Sequence, residues 1–163
     1  GEVRAAALRA ALAIGAAKAA LPDAEAALEA TEGEVRGAAA LVVLAVDPKS
    51  KKLAKLAPVL AEALLSAEDE KPIHAALASM GRTAGEALLA PLGKGPSLKP
   101  AQRGRLYRLV ADLGREARIM KSGTGSKRVL GTLELLDKMR ERERDAKLKK
   151  LANAAVKAIV ARD

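Results

Sequence analysis

The stretch GEVRAAALRAALAIG at residues 1–15 recurs as GEVRGAAALVVLAVD at residues 33–47. The opening Gly-Glu-Val-Arg is identical in both copies, which are offset by 32 residues. The apolar residues that follow align at the same offset, pairing Leu12, Ala13 and Ile14 with Leu44, Ala45 and Val46. Self-similarity at a fixed period of this length is typical of proteins built from tandem helical units.

A second match, elsewhere in the chain, has nearly the same period. Residues 76–84, ALASMGRTA, correspond to residues 109–117, LVADLGREA, at an offset of 33. Within the units, apolar residues fall three and four positions apart, as in Leu53, Leu56 and Leu60, which predicts two amphipathic helices per unit. The whole chain is therefore predicted to be one repeat array, with approximate units 1–31, 32–68, 69–99, 100–141 and 142–163.

Glycines, prolines and capping residues predict where the helices begin and end. Gly15 is expected to end the first helix, and Pro100 suits a first helical position. Pro22 is expected near the start of the second helix or at a kink in it. Because residues 140–145 are all charged, the chain there is expected to project into water or to bend. The predicted helices span about 2–14, 17–30, 34–46, 50–66, 71–80, 83–92, 100 to 114–120, a segment following 126, and 145–161.

The composition favours an all-α fold. Of 163 residues, 38 are Ala, whereas the chain has one Tyr and no Phe, Trp or Cys. The strong helix formers dominate and the residue types that fill strands are scarce. No apolar run approaches the roughly 20 residues of a membrane helix, so we expect a soluble chain without membrane insertion. Without Cys, neither a disulfide framework nor a thiolate zinc site can form.

The repeat pattern resembles the HEAT and HEAT-like repeat family. The resemblance rests on Val3-Arg4 and Val35-Arg36 at the helix starts, on the small residues that follow them, and on the Ala76–Gly81 segment. It implies a right-handed α-solenoid of about four helical hairpins plus a C-terminal closing helix. In such a solenoid the second helix of each hairpin lines a concave surface. It does not imply a substrate.

An argument from packing also favours a solenoid. Ala-rich hairpins have too little apolar bulk to form a substantial core alone, so each needs a neighbour on which to bury its Leu stripe. Helical periodicity by itself does not distinguish a stack of hairpins from a helical bundle. A generic bundle therefore stays open as the alternative.

Positive charge is concentrated in the later part of the chain. Residues 1–93 have a net charge of −2, residues 94–128 of +8 and residues 129–163 of +3. Such asymmetry favours acidic partners at the basic region. The residues predicted to bind a partner are Arg105, Arg108, Arg115, Arg118, Lys121, Lys127 and Arg128.

The arginines after Pro100 have two interpretations. Helical rotation places Arg105, Arg108 and Arg115 opposite the apolar face, with Asp112 between them. They either contact an acidic partner or form a solvated face in which Asp112 pairs with its neighbours. The segment Ser122–Arg128 similarly suits either a phosphate or sulfate site or a loop that caps the next helix.

Catalytic signals are weak. His74 is the only histidine and occupies the repeat position of Arg4 and Arg36, which favours a structural side chain over a general base. The acidic residues 68–70 are expected to cap the next helix and face water. No nucleophile elbow, Walker loop or calcium loop is present, so we expect no enzyme, metal site or cofactor.

The sequence therefore predicts a non-catalytic scaffold for protein–protein interaction that favours an acidic partner. The alternative is sequence-independent binding to a nucleic-acid backbone through residues 94–128. Tyr107 is the only aromatic residue that could stack on a single-stranded base. The chain begins with Gly1, so it is expected to be a fragment or a processed product, and either the cytoplasm or an exported location is compatible with it.

Overall fold

A computed structural model describes residues 1–49, 51–120 and 130–161 of the chain, and these residues form helices with no strand. The predicted all-α class is thereby confirmed. The α-helices are α1 (Glu2–Ala13), α2 (Leu21–Ala27), α3 (Gly33–Val46), α4 (Leu53–Ser66), α5 (Lys71–Ser79), α6 (Arg82–Ala87), α7 (Leu89–Gly93), α8 (Pro100–Leu113), α9 (Thr132–Arg142) and α10 (Ala146–Val160). Two 3₁₀-helices, η1 (Gly95–Ser97) and η2 (Gly114–Ala117), flank α8.

Several helix ends lie where the sequence predicts them. Pro22 and Pro100 both lie in the first turn of their helices, where the missing N–H removes no intrahelical hydrogen bond. Gly15 follows α1 with a φ of 74°, a left-handed conformation that suits glycine. Asp145 caps α10, since its Oδ1 accepts hydrogen bonds from the backbone N–H groups of Lys147 and Leu148.

Two predicted helices differ from the structure. The helix expected over 17–30 is only Leu21–Ala27, and Pro22 in its first turn accounts for the later start. The helix expected over 83–92 is divided into α6 and α7, which meet at Leu88. Pro91 accounts for the break, since it has no N–H to donate to the carbonyl of Ala87 one turn earlier.

The chain forms two compact units, Gly1–Leu77 and Ala78–Asp163. In the first unit α3 is the central helix and packs against α1, α2 and α4. It is buried on most of its circumference, as expected of a helix that is apolar all round. Gly37 brings α3 close to α4, because a Cβ at this position would lie 2.7 Å from the Cβ of Ala63.

Small side chains form much of the core in both units. Among the described residues, alanine makes up more than a third of the buried apolar side chains. Leucines fill most of the remaining space, and the bulkiest fully buried side chain is Tyr107 of α8. Helices with alanine at their contacts approach one another closely, so the packing depends on short interhelical distances.

The second unit is organised around α8 and α10. The sequence pairs α8 with the following helix in the unit 100–141, whereas in the structure α8 has its most extensive packing with α10. Helix α9 packs against α7, η1 and α10. Gly104 permits the close packing of α8 on α10, because a Cβ there would lie 3.2 Å from Cδ2 of Leu148. Within the described parts of the chain, no helix is long and apolar enough to cross a lipid bilayer.

Candidate functional site

The two structural units differ strongly in charge. The first unit has nine Lys and Arg residues against eleven Asp and Glu, whereas the second has twenty against nine. Their formal net charges are therefore −2 and +11. The positive potential of the chain originates in the second unit, which makes this unit the candidate binding region.

The predicted arginines lie on and just after α8. Arg108, Arg115 and Arg118 are exposed, and Arg105 is half-buried. The opposite side of α8 is buried and comprises Leu106, Leu109, Val110 and Leu113. Helical rotation therefore places Arg105 and Arg108 on the outer side of the helix.

Arg115 is not on the same helix as the other two arginines, although the sequence places them on one stripe. Helix α8 ends at Leu113, because Gly114 adopts a φ of 53° that an α-helix cannot contain. Arg115 belongs to η2 and Arg118 follows it. The four arginines therefore do not share one helical face.

The remaining predicted residues lie outside the described part of the chain. These are Lys121, Lys127 and Arg128, together with the segment Ser122–Arg128 that the sequence favours as an anion site or a helix cap. The candidate surface is therefore limited to four arginines, of which Arg105 and Arg108 lie in α8 and Arg115 and Arg118 lie after it.

A buried ion pair lies on the inner side of α8. Arg103 donates from Nε to Oε2 of Glu143 at 2.7 Å and from Nη2 to Oε1 at 3.0 Å. Its Nη1 also donates to the carbonyl of Leu98 at 2.6 Å. The side chain of Glu143 is only 2% exposed and that of Arg103 17%. The hydrogen bonds from Arg103 hold the pKa of the Glu143 carboxyl below its ordinary value.

Tyr107 lies one turn after Arg103 on the same helix. It is fully buried, and its Oη has no hydrogen-bond partner among the described residues. Burial, and secondarily the negative charge of Glu143, raise the pKa of the Tyr107 hydroxyl to about 12. Because the only aromatic side chain of the protein is buried, it offers no surface on which a nucleic-acid base could stack.

Sequence reasoning missed the Arg103–Glu143 pair. Glu143 belongs to the charged run 140–145, which the sequence predicts to project into water or to bend. The sequence does contain a signal for its burial, because Glu143 falls at helical spacing on the same face as the apolar Leu136 and Met139. The helix in fact ends at Arg142, and Glu143 turns inward in an extended conformation.

His74 lies in α5, next in sequence to two residues that line a cavity. It is half-buried in the first turn of α5, and its backbone N–H donates to the carbonyl of Glu70 at 2.8 Å. This cavity has a volume of about 170 Å³, and it is lined by Pro72 and Ile73. His74 is not among its lining residues, so its imidazole does not contribute to this site. The backbone N–H of Lys71, the first residue of α5, donates to Oδ1 of Asp69 at 3.1 Å, so one carboxylate of the acidic residues 68–70 contacts the start of this helix. In the described residues, no group of three His, Cys, Asp or Glu side chains is arranged to hold a metal ion.

Comparisons with protein-family models, characterised proteins and solved structures found no match to this chain. The resemblance to HEAT-like repeats therefore rests on the residues quoted from the sequence. The functional inference depends on charge, burial and geometry.

Proposed function

We propose that the protein is a non-catalytic helical scaffold that binds an acidic protein partner through its second unit. The observation that carries this proposal is the charge contrast between the units, −2 against +11. A concentrated positive potential accelerates encounter with acidic surfaces and suppresses encounter with basic ones. The exposed Arg108, Arg115 and Arg118, with the half-buried Arg105, are the proposed contacts.

We also propose that the helices are arranged as a right-handed, HEAT-like α-solenoid, with a helical bundle as the alternative. The repeat-related helices α1 and α3 pack against each other. Ala5 and Leu8 of α1 are buried, as are the equivalent Gly37 and Ala40 of α3. Equivalent positions that are buried in neighbouring units are expected of a repeat array. An experimental structure that showed the hairpins interleaved around one centre would favour the bundle.

A protein fits this surface better than a nucleic acid does. The exposed Asp112 and Glu116 lie among the basic residues of α8 and η2, so the surface carries both positive and negative charges. Mixed charges can complement an acidic protein that carries some basic groups, whereas each carboxylate repels the uniform phosphates of a nucleic acid. With its one tyrosine buried, the chain also lacks the stacking surfaces that single-strand binders use.

Duplex backbone binding is the second candidate, and the net charge of +11 in the second unit favours it. Contacts to phosphates need no aromatic residue and lose affinity steeply as salt rises. Binding of this kind would show no preference for nucleotide sequence.

The test compares two triple variants of equal charge change. The first is Arg105→Glu, Arg108→Glu and Arg115→Glu; its control is Lys49→Glu, Lys51→Glu and Lys55→Glu, three exposed residues of the first unit. Binding to immobilised polyglutamate and to duplex DNA of mixed sequence is measured at several salt concentrations. Circular dichroism checks that the helical content is unchanged.

We expect the arginine variant to bind polyglutamate about tenfold more weakly than the lysine variant does. Equal losses in both variants would contradict the proposed surface. Tight binding to duplex DNA at physiological salt, without binding to polyglutamate, would establish the second candidate instead.

A further inference from the structure

A small cavity in the second unit lies next to the buried ion pair. Its volume is about 240 Å³. Gly95 and Pro96 of η1 and Met139 of α9 supply the less polar part of its wall. The charged part comprises Arg103, Arg142, Glu143 and Arg144.

The charges around this cavity do not balance. Arg103 and Glu143 neutralise each other through their two hydrogen bonds. Arg142 and Arg144, on either side of Glu143, are exposed. Within the part of the chain that the structure describes, neither guanidinium takes part in a hydrogen bond or an ion pair. The four charged side chains that line the cavity therefore have a formal net charge of +2, supplied by Arg142 and Arg144.

The Arg103–Glu143 pair also fixes the position of these arginines. It holds Glu143 inward, where Oε1 additionally accepts a hydrogen bond from the backbone nitrogen of Asp145 at 3.3 Å. The backbone from Arg142 to Arg144 is thereby tied to α8. Two guanidinium groups on a fixed backbone lose less conformational freedom on binding than two groups on a mobile loop would.

We propose that this cavity binds one anionic group, a carboxylate or a phosphate, carried on a short apolar stem. Guanidinium groups bind both oxyanions with paired, charge-assisted hydrogen bonds. Met139 and Pro96 provide contact for a stem of a few carbon atoms, and the volume admits a group of the size of a glutamate side chain. The anion comes either from a free small molecule or from a side chain of the acidic partner, and only the second source depends on the proposed function.

The experiment separates the two sources. Isothermal titration calorimetry measures the binding of glutarate, of inorganic phosphate and of a hexaglutamate peptide to the full chain. The test variant is Arg142→Gln/Arg144→Gln, which removes these two positive charges and leaves the buried pair in place. The control is Lys149→Gln/Lys150→Gln, which removes the same charge from exposed positions on α10 that do not line the cavity.

We expect the wild type to bind at least one of these probes, and the arginine variant to bind it about tenfold more weakly or worse. The lysine variant should match the wild type within about twofold. Binding of glutarate or phosphate without the peptide assigns a small-molecule site, and this result stands even if the acidic-protein proposal fails. Equal weakening in both variants, or no binding of any probe to the wild type, would overturn the inference.

Discussion

Arg103 of α8 and Glu143, forty positions later, are joined by two hydrogen bonds of 2.7 and 3.0 Å. The contact ties α8 to the turn between α9 and α10, two parts of the second unit that are distant in sequence. Because both side chains are largely shielded from water, each depends on the other for neutralisation.

We expect Glu143→Ala to lower the free energy of unfolding by about 3 kcal/mol, because it leaves the charge of Arg103 buried without a counterion. Urea unfolding followed by tyrosine fluorescence measures the effect, since the only tyrosine, Tyr107, interacts electrostatically with both members of the pair. The exposed Glu141 is the matched control, and Glu141→Ala should change stability by no more than about 0.5 kcal/mol. Equal effects would mean that the pair does not stabilise the fold.

The pair also predicts a loss of stability in acid. The folded-state pKa of Glu143 lies below its ordinary value of 4.5, so the carboxylate binds a proton more readily in the unfolded chain. Its contribution is therefore fully present above pH 4.5 and is lost as the pH falls through the folded-state pKa. Urea midpoints of the wild type and of Glu143→Gln should converge as the pH is lowered from 7 to about 3. A constant gap between them would contradict the assignment.

Tyr107 provides a prediction at the alkaline end. Its folded-state pKa is about 12, against an ordinary value of 10.0. The stability from keeping the phenol neutral is present below pH 10.0 and is lost as the pH rises towards 12. Near-ultraviolet absorbance should show little tyrosinate at pH 10.0 in the folded protein and half ionisation there in urea. If the tyrosine of the folded protein ionised at the same pH as in urea, its hydroxyl would be exposed to water.

Gly85 of α6 is expected to tolerate no side chain. A Cβ at this position would lie 2.6 Å from the carbonyl oxygen of Glu116 and 2.9 Å from Cα of Ala117, both backbone atoms of η2. Gly85→Ala should therefore lower the thermal midpoint, at a cost of about 1–3 kcal/mol. Gly93 of α7 has no such neighbour within 4 Å, so Gly93→Ala should be neutral or stabilising by up to about 1 kcal/mol. If Gly93→Ala lowered the thermal midpoint more than Gly85→Ala did, the close approach of α6 and η2 would be refuted.

The helices themselves could largely be predicted from the sequence, because their ends depend on local chemistry. Pro22, Pro100 and Asp145 act within one turn of their own position, through a missing N–H or a capping oxygen. Pro91 acts in the same local way, and it breaks the helix predicted over 83–92 at Leu88.

The tertiary partners could not be predicted in the same way. Nothing near Arg103 indicates that its partner is forty residues away, and the charged neighbours of Glu143 hide its position on the apolar face. The packing of α8 on α10 could not be predicted for a similar reason, since adjacency in sequence favours α9 as the neighbour of α8. The basic character of the second unit, by contrast, follows from counting side chains and needs no knowledge of contacts.

The alanine-rich core determines which mutations are informative. Side chains such as Ala39, Ala57 and Ala155 are fully buried and already carry a single methyl group. Alanine scanning, the usual means of locating a core, therefore gives no information at these positions, because they are already alanine. Enlargement to valine or leucine would identify the helix contacts instead, and the same narrow spacing would bias natural variation at these sites towards glycine and serine.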